Sequence, residues 1–184
     1  MAKLYFYYST MNAGKSTMLL QASYNYRERG MNPLILAPVI DNRDGEKNVS
    51  SRIGLKAPAI SFYTTDQLFT LVESEHDRET IDCVLVDEAQ FFSSSIIKDS
   101  LKLKSMGKRI IIAGLNKDYL NKEFKSVSGL IKIADKLTKL YAVCNRCSAP
   151  ASRSYRIVKE KSTILLGHKD AYEPLCKKCY ENAR

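Results

Sequence analysis

Short runs of consecutive apolar residues alternate with stretches of helical spacing along the first three quarters of the chain. KLYFYY (residues 3–8) predicts a short buried strand. Residues 15–29 predict a helix that stops at Gly30, a residue suited to a C-terminal cap. PLILAP (Pro33–Pro38) predicts a second strand, bounded by prolines. Residues 41–58 are polar, with two glycines, and predict a long loop. Residues 65–75 predict a helix capped by Thr65. CVLVDE (residues 83–88) predicts a strand ending in two acids. A helix capped by Ser93 or Ser94 is expected to run to about Ser105, and RIIIAG (residues 109–114) supplies another buried strand. Continuous apolar strands alternating with helices point to an α/β fold, a parallel sheet covered on both faces.

After about Leu140 the texture changes. Helix-length patterns stop, two Cys-x-x-Cys pairs appear, and SYRIV (residues 154–158) alternates like a short strand. The expected division is therefore an α/β domain over residues 1–140 and a small second domain over residues 141–184.

Composition narrows the class. The chain has 184 residues and 45% hydrophobic content, ordinary for a globular protein. No apolar run approaches the roughly 20 residues of a membrane span, so a soluble protein is expected, with no membrane partner. The N-terminus carries no apolar leader ending in small residues, which favours the reducing cytoplasm. There, cysteines serve more often as ligands or free thiols than as disulfides. The net charge is +9, with regional balances of −3 over residues 1–96, +7 over 97–140 and +5 over 141–184. A basic C-terminal half suits an anionic partner, although lysine-rich helices are first of all solvated surface.

The sharpest chemistry lies at two strand ends. Residues 9–16 read S-T-M-N-A-G-K-S, a phosphate-binding loop with Ser9 where the pattern has its first Gly. It follows a predicted strand and opens a predicted helix, the context that makes the motif meaningful. Consecutive backbone N–H groups and the helix N-terminus face anionic phosphates there. Gly14 permits close approach, Lys15 reaches the β- and γ-phosphates, and the Ser16 hydroxyl can ligate Mg²⁺. Ser9 must take its turn without glycine's freedom. VLVDEAQFF (residues 84–92) is an apolar strand ending in Asp87 and Glu88. That edge is where open α/β sheets bind ligands. Asp87 suits Mg²⁺ or its water. Glu88 suits the proton of an attacking hydroxyl in a kinase, or a hydrolytic water in an ATPase. The motif alone does not choose.

Cys144 and Cys147, with Cys176 and Cys179, form a paired set of four thiols. This spacing suits tetrahedral Zn²⁺, in a closed structural site without a histidine or an open position. Cys83 begins a buried strand and reads as core. Zinc would clamp the ends of residues 148–175 into a flap able to cover a nucleotide pocket.

Together these segments resemble the type II thymidine kinases, in particular the bacterial and phage branch. The carriers are YYSTMNAGKST, NYRERGM, VSSRIG, VLVDEAQFF and the four cysteines, in an order that spans nearly the whole chain. The resemblance implies a RecA-like P-loop NTPase sheet with a small C-terminal zinc-bearing lasso domain. It implies transfer of the γ-phosphate of ATP to the 5′-hydroxyl of thymidine, and also of deoxyuridine, in pyrimidine salvage. Glu88 is then the general base. Ser9, Thr10, Met11, Asn12, Ala13, Gly14, Lys15 and Ser16, with Asp87 and Gln90, form the ATP site, and Ser16 and Asp87 hold Mg²⁺. Arg43 matches an arginine near the transferred phosphate.

The family's lasso, here residues 157–174, grips thymine mainly through main-chain groups. The base pocket maps onto Met11, Leu115, Tyr119, Phe124, Ser154, Gly167 and Tyr172. Two stretches depart from the family pattern: LNKDY (residues 115–119) stands for L-R-T-D-F, and LLGHKD (residues 165–170) has His168 where a second glycine is usual. The family also implies feedback inhibition by thymidine triphosphate, a homotetramer, and no nucleic-acid partner. The competing reading is a zinc-containing nucleic-acid-dependent ATPase. It calls for a second α/β domain, which these 184 residues do not supply. A third is a nucleotide-regulated binding module in which Glu88 is dispensable.

Overall fold

The computed structural model describes residues 2–39, 48–158 and 171–183. Its centre is a six-stranded, all-parallel sheet. In chain order the elements are β1 (Leu4–Ser9), α1 (Lys15–Arg27), β2 (Pro33–Pro38), β3 (Asn48–Ser50), β4 (Lys56–Pro58), β5 (Ile60–Phe62), α2 (Leu68–His76), β6 (Cys83–Val86), α3 (Ser95–Ser105), β7 (Arg109–Leu115), α4 (Lys125–Ile133) and β8 (Lys136–Lys139). The sheet order is β5-β2-β6-β7-β1-β8. Strand β7 therefore separates β1, which feeds the phosphate-binding loop, from β6, which ends in the acids. This is the α/β sheet of a P-loop NTPase.

The strands are apolar on both faces because both faces are covered. Leu4, Phe6, Leu34, Leu36, Val84, Val86, Ile110 and Ile112 pack under α2, α3 and α4. Ile35, Ala37, Cys83, Leu85, Ile111 and Ala113 turn the other way, toward Leu19 and Leu20 of α1 and Val49 of β3. Cys83 is buried core, as its place in the strand predicts.

Several boundaries differ from the sequence reading. Helix α1 ends at Arg27, and Gly30 sits beyond it at φ +70°. The described part of the predicted 41–58 loop contains the antiparallel hairpin β3–β4. Helix α2 starts after Gln67, not at Thr65. Its free N-terminal amides are met from outside, since Phe69 N–H donates to the Asp99 carboxylate of α3 at 3.3 Å. A cap at Thr65 is therefore not needed. At α3, Ser94 is the cap residue but makes no side-chain cap bond. The Ser93 hydroxyl accepts from Ser95 N–H instead, at 3.3 Å.

Beyond β8 the elements are small: β9 (Ala142–Val143), β10 (Pro150–Ala151), β11 (Arg153–Arg156), β12 (Tyr172–Leu175) and α5 (Lys177–Glu181). They gather around Ala142, Cys144, Ala151, Leu175 and Tyr180. Among the described residues, no helix is long and apolar enough to cross a membrane.

Candidate active site

The phosphate-binding loop leaves β1 and enters α1. Positive φ falls at Asn12 (64°) and at Gly14 (80°). Ser9 itself is the last residue of β1, so the missing glycine is not required to turn there. Its buried hydroxyl donates to the Thr10 carbonyl at 2.7 Å. Lys15 is 6% exposed. Its ammonium donates to Thr10 O at 3.0 Å and to Ser9 Oγ at 3.4 Å, both within its own loop.

Asp87 and Glu88 follow the end of β6. The Ser16 hydroxyl donates to Asp87 Oδ2 at 2.7 Å, and Glu88 N–H donates to Asp87 Oδ1 at 3.0 Å. Glu88 takes left-handed backbone angles (φ 50°, ψ 49°). The Gln90 amide donates to Glu88 Oε2, and its carbonyl oxygen accepts from Leu115 N–H at 3.0 Å. Gln90 thus ties the carboxylate of Glu88 to the end of the intervening strand β7. Gly114 makes room for this tie, because a Cβ there would stand 3.2 Å from Gln90 Oε1 and 3.4 Å from Ala89 Cβ.

Burial dominates the electrostatics. It raises the Asp87 carboxyl, with help from Glu88, to about 7, against the pull of the Ser16 hydroxyl, Lys15 and the Glu88 amide. Burial also lowers the Lys15 ammonium, while Glu88 and Asp87 act in the opposite sense. A carboxyl raised on folding keeps a proton that the unfolded chain releases near pH 4, so stability declines as pH rises from about 4 to about 7. Thermal melts of the nucleotide-free protein across that window are expected to show the decline. An Asp87→Asn variant should lack Asp87's share, and an identical pH profile would show that this carboxyl is not the cause.

The four paired cysteines converge. Their sulfurs all lie within 4.8 Å of one another, with Cys147 and Cys176 at 3.6 Å, and none is in a disulfide. A tetrahedral zinc with Zn–S bonds of about 2.3 Å needs sulfurs about 3.8 Å apart, so the donor set fits a closed Zn²⁺ site. Burial would raise the Cys144 thiol, yet the backbone N–H groups of Cys176, Arg146 and Cys147, with the Cys147 thiol, bring it down to about 6. Hydrogen bonds that the Cys179 thiol donates to the Cys147 and Cys176 sulfurs hold its pKa up at about 12. Four close sulfurs share few protons comfortably, and a divalent cation removes that conflict.

This cluster leans on the phosphate loop. Ala13 packs against its small core, and Met11 N–H donates to Ser154 Oγ of β11 at 3.3 Å. Of the residues mapped to the base pocket, Met11, Leu115, Tyr119, Phe124 and Tyr172 are half-buried and Ser154 is buried. Phe124 also packs on the main core beneath α4. Arg43 and Gly167 lie outside the described residues, as does most of the 157–174 segment.

Two residues in this region were not legible beforehand. Arg156 is 7% exposed and stacks on Tyr119, and the Tyr180 hydroxyl donates to the Tyr119 carbonyl. The available signal for Arg156 was strand alternation, which puts it on the same face of β11 as Ser154.

Comparison with known proteins converges on one family. The family model for thymidine kinase matches residues 2–180. The chain is 42% identical to the thymidine kinase of Rhodopirellula baltica, covering 100% of this chain and 90% of that one. It is 40% identical to the thymidine kinase of Shewanella oneidensis, covering 97% and 96%. A solved structure of the replication initiator DnaA bound to AMPPCP and single-stranded DNA is 16% identical and covers 76% of this chain and 40% of that one, with a TM-score of 0.44. With a family match over nearly its full length and relatives of this identity along both chains, the protein belongs to the thymidine kinase family.

Proposed function

We propose that this protein transfers the γ-phosphoryl group of ATP to the 5′-hydroxyl of thymidine, releasing ADP and thymidine monophosphate. The observation that carries this reading is the placement of Glu88. Its carboxylate is fixed by Gln90 beside Asp87, Ser16 and Lys15, in a chain of the thymidine kinase family.

Each group has a defined task. The backbone of residues 9–16 and the Lys15 ammonium bind and orient the triphosphate. Ser16 Oγ and Asp87 Oδ2, already paired at 2.7 Å, would hold Mg²⁺. That ion, when bound, offsets charge on the phosphate oxygens. Glu88 accepts the proton of the 5′-hydroxyl as it attacks. Arg43 neutralises charge near the transferred group. Met11, Leu115, Tyr119, Phe124, Ser154, Gly167 and Tyr172 enclose the base, where an apolar wall suits the C5 methyl of thymine.

In this reading the chain divides near Leu140 into a nucleotide-binding α/β domain and a zinc-bearing lasso domain. Deoxyuridine is a second acceptor, thymidine triphosphate a feedback inhibitor, and a cytoplasmic homotetramer the working form.

The test is ADP release from Mg-ATP with thymidine, deoxycytidine, deoxyadenosine, single-stranded DNA or no acceptor. Turnover with thymidine alone of that panel is the expected result, and deoxyuridine, added as a sixth condition, should also be phosphorylated. Turnover with DNA alone, or equal turnover without acceptor, would overturn it and leave Glu88 activating water.

A further inference from the structure

Strand β11 touches both halves of the candidate site. Ser154 and Arg156 lie two residues apart on it, so their side chains leave the same face. Ser154 reaches the phosphate loop at Met11 N–H. Arg156 reaches the loop that follows β7. Its guanidinium lies over the Tyr119 ring, 3.6 Å from the centroid. The same group donates through Nη2 to the Tyr172 hydroxyl at 2.6 Å and through Nε at 3.2 Å. Tyr172 is also its register partner on β12.

A buried guanidinium is stable only where its donors and its flat face are used, and here both are used at once. Within the loop, Asp118 Oδ1 accepts from Leu120 N–H at 2.9 Å and Lys122 N–H at 2.8 Å. The Tyr119–Arg156 stack and the Tyr180 hydroxyl on the Tyr119 carbonyl connect that loop to the cysteine-bearing segment.

We infer that Arg156 is a positioning residue for the nucleoside. It clamps Tyr119 and Tyr172 into one wall and sets the spacing between the β7 loop and β12. This rests on the proposed acceptor site, because Tyr119 and Tyr172 are the groups placed against the base there. The clamp joins Tyr119 and Tyr172, whereas Lys15 is held by Ser9 and Thr10 of its own loop, so loss of the clamp acts on acceptor binding and leaves the phosphate loop in place. Lysine does not replace it, since an ammonium lacks the flat face and the forked donors.

The experiment measures kcat and KM for thymidine and for ATP in wild type, Arg156→Lys and Arg156→Met, with melting curves of each. The expected result is a rise of about tenfold in KM for thymidine in both variants. KM for ATP should stay within about twofold, and kcat should fall far less than kcat/KM for thymidine. Tyr172→Phe should reproduce part of the effect and add nothing to Arg156→Met, because both remove one linkage. An unchanged KM for thymidine, or equal losses for both substrates, would overturn the inference.

Failure of the acceptor assignment is seen separately, as absent thymidine turnover in the wild type. In that event, amide hydrogen exchange over residues 119–123 decides the clamp. Faster exchange in Arg156→Lys supports it, and unchanged exchange overturns it. The lysine variant also guards against misfolding of the methionine one.

Discussion

Glu88→Gln is expected to lower kcat by about a thousandfold while leaving ATP affinity within a few-fold of wild type. The substitution keeps the shape of the side chain and removes its negative charge together with its ability to take a proton. The Gln90 amide still finds an oxygen to donate to at position 88, and its own oxygen still accepts from Leu115 N–H at 3.0 Å. The Ser16–Asp87 pair at 2.7 Å is untouched. Nucleotide binding and catalysis should therefore separate cleanly, with binding read by calorimetry and turnover by ADP release. A variant that retains a near-normal rate would remove Glu88 as the base. A variant that loses ATP binding as well would mean the carboxylate organises the phosphate loop rather than the acceptor.

Metal loss should have the second large effect. Freshly purified, reduced protein is expected to contain about one zinc per chain, by elemental analysis. Its removal by a strong chelator, or Cys147→Ser, should raise KM for thymidine before KM for ATP and lower the melting temperature. The reason is the size of the local core. Ala142, Cys144, Ala151, Leu175 and Tyr180 bury too little apolar area to hold strands β9 to β12 unaided. Structural zinc contributes on the order of 10 kcal/mol in small domains of this kind. The surface pair of Arg146 and Glu173 beside the cluster is partly exposed and supplies little by comparison. Zinc-free protein with an unchanged melt would sink the assignment.

What the sequence disclosed follows from where each signal resides. Strands β1, β2, β6 and β7 were legible because burial on both faces forces continuous apolar runs. Strand β8, KLTK, was not. It lies at the sheet edge, its residues are mostly exposed, and among the described residues it pairs with β1 alone, in parallel. Hairpin β3–β4 is short and polar, and its turn carries Gly54 at φ +89°, so it looked like loop.

Helix α4 was masked by Gly129, which ordinarily weakens a helix. The structure supplies the reason for that glycine: a Cβ there would fall 2.0 Å from Ile97 Cδ1 of α3. The phosphate loop, the two acids and the paired cysteines were legible because their chemistry demands particular residues at short spacing. The tie from Gln90 to Leu115 and the clamp of Arg156 on Tyr119 and Tyr172 were not. They join residues 25, 37 and 16 positions apart, and only the fold brings them together.

The backbone at Glu88 carries a further implication. A side chain other than glycine at φ 50° costs roughly 1–2 kcal/mol against an ordinary conformation. Glycine or asparagine would occupy that turn with less strain. Position 88 therefore sits under two opposed selective pressures. Variants chosen for heat tolerance alone would drift toward residues that relax the turn and accept no proton. A library aimed at a hardier protein has to hold this codon fixed and look for stability elsewhere.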